Sequence, residues 1–183
     1  MADDKTKANL LENIRRTHIH VTGAYHEAGH ALGYMACERE FLEIDLKWDC
    51  VRVVPSPIDG YSRALTTWAG PLAEYRYSFP DPEEFEERWG HYCNEYMTET
   101  AEYLDDLKKS CDEDEFEEAL RSDCAQLLQL NHFDRKHGLR DAGWMLDAHW
   151  DALERLVRAL LNRGVVTYAE AVEIVGHVED WLD

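Results

Sequence analysis

No run in this sequence approaches the ~18–20 apolar residues that a membrane-spanning helix needs. Proline and glycine are sparse, at 5 and 10 of 183 residues, which excludes collagen-like and low-complexity chains. Positive charge is scarce too: 19 Lys+Arg stand against 38 Asp+Glu, a net charge of −19. Phosphates of nucleic acids and anionic lipid headgroups repel such a chain, so neither is expected as a direct partner. The five cysteines, at 37, 50, 93, 111 and 124, are odd in number and form no CxxC pair. That excludes a disulfide framework and a Cys-rich zinc site, and points to reduced thiols. The opening residues MADDKTKANLLENIRR lack the apolar core of a secretory signal. The expectation is a soluble, cytoplasmic protein that does not engage a membrane.

What is present is enough apolar material, 45% of residues, for one core of ordinary size. We expect a single domain over 1–183, mainly α with a small β element. Residues 1–18 carry a short amphipathic stretch. From Thr22, a capping residue, to about Glu38 the run TGAYHEAGHALGYMACE predicts a helix. Alternation through Leu42, Ile44, Leu46, Val51 and Val53 predicts one or two strands before the Pro-Ser-Pro at 55–57. Residues 62–78 read as a helix, with Gly70-Pro71 expected to kink or restart it. Residues 80–118 hold 16 acids against three Lys+Arg, −13 of the total charge, with recurring aromatics. They are expected to form an acidic, helical insert packed along one face. Helices are predicted over 121–137 and 141–162, and Thr167 is expected to cap a last one.

The chemistry concentrates in His26-Glu27-Ala28-Gly29-His30. Residues i and i+4 share a helix face, so both imidazoles can grip one zinc ion. Glu27, beside the first ligand, can act as general base toward water. The reaction implied is peptide hydrolysis, with zinc acidifying water and polarising the scissile carbonyl. A catalytic zinc needs a third protein ligand and an open fourth position. Glu74, 44 residues after His30, and Asp123, 93 residues after it, both qualify, and spacing does not choose between them.

The string AYHEAGHALGYMA resembles the zinc helix of the FtsH-type ATP-dependent zinc metallopeptidases. The likeness continues in order: VRVVPSPIDGYSRA resembles the strand and loop after that helix, and TTWAGPLAEYRYS its small-residue helix with an AEE core. SDCAQLLQL resembles the segment with the family's distal aspartate, and LNRGVVTYAEAVEIV the closing helices. The resemblance spans roughly residues 20–79 and 119–176 and implies an FtsH-peptidase-like helical zincin. By it His26, His30 and Asp123 take the metal-ligand roles for Zn²⁺, Glu27 the catalytic role, and Glu74 that of a nearby supporting carboxylate. A homo-oligomer is implied as well, since the family's peptidase domains form rings.

The departures matter. Tyr75 stands where the family usually has a second acid, Ser122 where Asn is usual, and residues 80–118 have no counterpart. No GxxxxGK[ST] phosphate-binding run occurs. The expected function is thus a zinc metallopeptidase hydrolysing peptide or protein substrates without its own ATPase, alone or with a separate unfoldase. The alternative, from a different class, is a non-enzymatic regulatory protein whose acidic insert engages a basic protein partner.

Overall fold

A computed structural model describes residues 4–48, 50–53, 57–110, 115, 117 and 119–176. Cys111, Phe116, His177 and Trp181, and the Pro-Ser part of the 55–57 turn, lie outside these. The fold is mainly helical with one small antiparallel sheet. No helix among the described residues is long and apolar enough to cross a membrane.

Helix α1, Asp4–Ala36, is one 33-residue helix rather than a stretch followed by a helix capped at Thr22. Thr22 lies buried in its interior. The reason is local: no proline intervenes, and an interior glycine such as Gly23 costs only about 1 kcal/mol. Two of the predicted strands form, β1 (Phe41–Asp45) and β2 (Cys50–Val53), paired antiparallel with Ile44 opposite Val51. Helix α2, Gly60–Ser78, starts at Asp59, whose side chain accepts from the Ser62 backbone N–H. It passes through Pro71 without ending. The backbone bond forfeited at Pro71 is outweighed because α2 is packed between α1 and the long helix described below, and buries Ala64, Leu65, Trp68, Ala69 and Leu72.

The acidic segment folds as α3 (Pro82–His91), a π-helical turn (Tyr92–Tyr96) and α4 (Met97–Ser110). Its inward side chains include Tyr92, Met97 and Leu104. The step of five from 92 to 97 exceeds a helical repeat, and the wide turn absorbs the extra residue. Trp89 ties the segment to α2, its ring 5.6 Å from Trp68 and 5.5 Å from Tyr75, and it stacks on Tyr92 at 5.1 Å. Tyr75, where the family resemblance leads one to expect an acid, is thus part of the aromatic seam holding this segment.

Ser122 caps the short helix α5, Asp123–Leu128, by accepting from the Ala125 N–H. The sequence pattern had this helix running to about 137, but Asn131 caps a new one, α6, which runs His132–Arg163 and absorbs the helix expected at 141–162. Only His149, at φ −122° and ψ 25°, leaves helical geometry inside it. Trp150 on α6 stacks near Tyr25 at 5.7 Å, whereas Trp144 is exposed under the Arg140 guanidinium. A third strand, β3 (Val165–Thr167), was not legible at three residues; it pairs with β1 to give the order β2-β1-β3. Thr167 then caps α7, Tyr168–Val175, in a reciprocal box with Glu170.

Close approach of α1 to α2 positions everything that follows. A Cβ at Gly29 would land on the Ala69 carbonyl oxygen and come within 2.9 Å of the Ala73 Cβ. Only glycine allows that contact, and it falls between the two histidines of α1.

Candidate metal centre

His26 and His30 sit one turn apart on α1, with their ring centroids 4.7 Å apart. Each ring is held by α2 through its Nδ1. His30 Nδ1 donates to the Thr66 carbonyl at 2.8 Å, and His26 Nδ1 donates to Glu74 Oε2 at 2.9 Å. A backbone carbonyl can only accept, so the proton of neutral His30 resides on Nδ1; the Glu74 carboxylate selects the same tautomer in His26. Both Nε2 lone pairs then face inward, 3.0 Å from each other.

Asp123 completes the set from 93 residues away. It is the first residue of α5, held in place by the Ser122 cap, and its Oδ2 lies 3.0 Å from His26 Nε2 and 3.2 Å from His30 Nε2. Three lone-pair donors thus meet at one point, an arrangement that repels itself unless protons or a cation occupy the centre. Zinc at ~2.0–2.1 Å from three tetrahedral ligands requires donor separations of about 3.3–3.4 Å. The observed 3.0–3.2 Å fits a small divalent ion with only slight opening. Two imidazoles and one carboxylate, with the outer nitrogens anchored to a carboxylate and a carbonyl, is also the donor chemistry zinc prefers. Among the described residues this is the one such group of three. Glu74 stands behind His26 as its orienting partner, outside the converging set. His20, His91, Cys93, His132, His137 and His149 join no such group there, and His91 instead pairs with Glu95 at 3.0 Å.

The three donors and Glu27 open onto a cleft of about 610 Å³. Glu27 is 5% exposed, next to His26 and inside this cleft. Two contributors had no signal in the sequence. The Thr66 carbonyl is a backbone atom and carries no residue preference. Gly70 was readable only as part of a Gly-Pro break, yet a Cβ there would land on the His30 ring, within 2.7 Å of Cδ2. Its lack of a side chain is what lets the imidazole lie flat against α2.

No family model matches the chain, and no curated protein sequence matches it.

Electrostatics couple this centre to pH. Burial pulls the His26 imidazolium down, but hydrogen bonds to Asp123 and Glu74 outweigh it and push the pKa up to about 10. Burial likewise opposes the His30 charge, and the Asp123 carboxylate prevails, raising that pKa too. Burial favours neutral Asp123, yet the two imidazoles hold it well below the usual carboxylate range. Without an ion the centre therefore holds protons that any bound cation would have to displace.

The signs follow. A raised folded-state pKa gives stability that is full below 6.5, the ordinary histidine value, and is lost as pH climbs toward 10. Over the same window the affinity of these donors for a divalent cation would rise about tenfold per pH unit for each proton displaced, ~1.4 kcal/mol. The increase in melting temperature caused by zinc, measured against chelator-treated protein, is expected to grow steadily from pH 6.5 to 9. A zinc-dependent increment that is flat or shrinks over that range contradicts this arrangement.

Proposed function

We propose that this chain is a zinc-dependent metallopeptidase-like hydrolase of the FtsH type, acting on accessible polypeptide segments. The observation that carries the reading is the meeting of His26 Nε2, His30 Nε2 and Asp123 Oδ2 within 3.2 Å of one another, beside a buried Glu27 in an open cleft. The collinear resemblance of residues 20–79 and 119–176 to the FtsH peptidase domain supports it.

Bound zinc would supply Lewis acidity, polarising a carbonyl and easing loss of a proton from water. The residues do the rest. Glu27 takes the water proton as the oxygen bonds to the carbonyl carbon and the carbonyl π pair moves onto its oxygen. Glu27 then delivers that proton to the amide nitrogen as the C–N bond breaks, leaving a carboxylic acid and an amine, and the acid's remaining proton passes to the amine to give carboxylate and ammonium. Glu74 and the Thr66 carbonyl keep the imidazoles in register. Cys50 and Val51 of β2 also line the cleft, and β2 is an edge strand whose only partner among the described residues is β1. Its outer edge offers backbone groups to an extended peptide. By themselves these residues, in which no phosphate-binding loop occurs, would act on segments already unfolded.

The test is hydrolysis of an unfolded protein by the zinc-loaded chain, its abolition by chelator, its return with zinc, and comparison with Glu27→Gln. Exposed acids along α3 and α4 favour a second reading, a binder of basic protein surfaces. Identical behaviour of wild type and Glu27→Gln in cleavage, with both holding zinc, selects that reading instead.

A further inference from the structure

Tyr34 stands on α1 four residues beyond His30, one turn further along the face that carries both histidines. It is half-buried and lines the same cleft as Glu27, His30 and Asp123. A tyrosine placed for packing normally ties its hydroxyl to a partner. Tyr61 does so, donating to Asp141 at 2.9 Å, and Tyr92 accepts from Cys124 at 3.3 Å. The Tyr34 hydroxyl has no hydrogen-bond partner among the described residues, though it lies within the influence of Asp123 and Arg63. Burial first and the Asp123 charge second raise its pKa, so it remains a proton-bearing donor at neutral pH.

A donor of this kind, close to the ligand cluster and facing the cleft, fits one task that Glu27, the histidines and Asp123 leave undone. When water adds to a peptide carbonyl, negative charge builds on the carbonyl oxygen, and a preorganised donor aimed at that oxygen stabilises the transition state more than the ground state. We propose that the Tyr34 hydroxyl donates a hydrogen bond to the scissile carbonyl oxygen as it becomes anionic. The proton stays on Tyr34, so the water proton still travels through Glu27 alone. The assignment rests on the peptidase reading above, and its test separates the two.

Tyr34→Phe removes the hydroxyl and keeps the ring. Wild type and variant, both zinc-loaded, are titrated by calorimetry with a capped phosphinic Ala-Ala pseudopeptide, whose tetrahedral anionic centre imitates the charged oxygen. The plain capped Ala-Ala peptide is titrated into Glu27→Gln with and without Tyr34→Phe. Zinc content and melting temperature are measured throughout. Expected are one zinc per chain in every form and loss of phosphinic affinity by about 30-fold or more in Tyr34→Phe. Plain-peptide affinity should stay within about twofold, and where cleavage is seen kcat falls ~10²-fold with KM little changed. Unchanged phosphinic affinity, an equal loss for the plain peptide, or loss of zinc from Tyr34→Phe overturns the assignment, as does a wild type that ignores the phosphinic compound. A wild type that cuts nothing yet binds that compound through Tyr34 defeats the peptidase reading and leaves the donor standing.

Discussion

Glu27→Gln is expected to lower hydrolysis of an unfolded protein by ~10³-fold while the protein still carries one zinc per chain. The size follows from general-base catalysis, whose removal costs about 10²–10⁴ in rate. An amide has nearly the shape of the carboxylate it replaces but cannot take a proton from water. Retention of zinc follows from the geometry: the converging atoms belong to His26, His30 and Asp123, and the imidazoles are held from behind by Glu74 and Thr66. The measurements are initial rates corrected for a chelator-treated baseline, and metal content by elemental analysis. Zinc lost along with activity would make Glu27 a support of the centre rather than its base. Rates equal to wild type would remove the enzymatic reading.

Asp123→Ala is expected to cut zinc affinity by ~10²–10³-fold, and Glu74→Ala by about 10–100-fold. A structural zinc site gains roughly 10–16 kcal/mol over four ligands, or about 3–4 kcal/mol for each, which sets the first figure. Loss of an outer-shell partner sets the second. In Asp123→Ala the repulsion between two inward-facing imidazoles is no longer balanced by a carboxylate, so they also lose the charge that raised their pKa. The Ser122 cap remains, so α5 persists, but the chelated protein melts below wild type at neutral pH because the stability that Asp123 lends by holding protons on the imidazoles is lost. Competition titrations against a fluorescent zinc chelator measure both variants. A larger loss in Glu74→Ala than in Asp123→Ala reverses the assignment of the third ligand.

These expectations drew on the sequence unevenly. His26 and His30 were readable because four residues of helix bring two side chains onto one face whatever the rest of the chain does. Thr167 was readable as a helix start for a similarly local reason. Spacing left Glu74 and Asp123 as equals, and only the family resemblance preferred Asp123. The folded chain brings Asp123 Oδ2 to 3.0 and 3.2 Å from the two ring nitrogens and leaves Glu74 on the outer nitrogen of His26. Helix ends were read less well. Thr22 had the right chemistry for a cap but lies inside α1, and Pro71 is a breaker by itself yet lies inside α2. At Thr22 nothing local breaks the helix, and at Pro71 packing against α1 and α6 outweighs a local preference of a few kcal/mol at most.

The same division runs through the whole molecule. Whatever repeats within a turn or two of backbone was present in the linear order: the paired imidazoles, the general base beside them, the acidic helical stretch and its aromatic face. Whatever joins distant segments was not. The third carboxylate, the carbonyl behind His30, the bare Gly70 beneath that ring and the third strand of the sheet all depend on distant segments meeting: α2 on α1, α5 on α2 and α4, and β3 on β1. Their energies come from contacts between residues tens of positions apart, and such contacts leave no periodic trace in the chain that makes them.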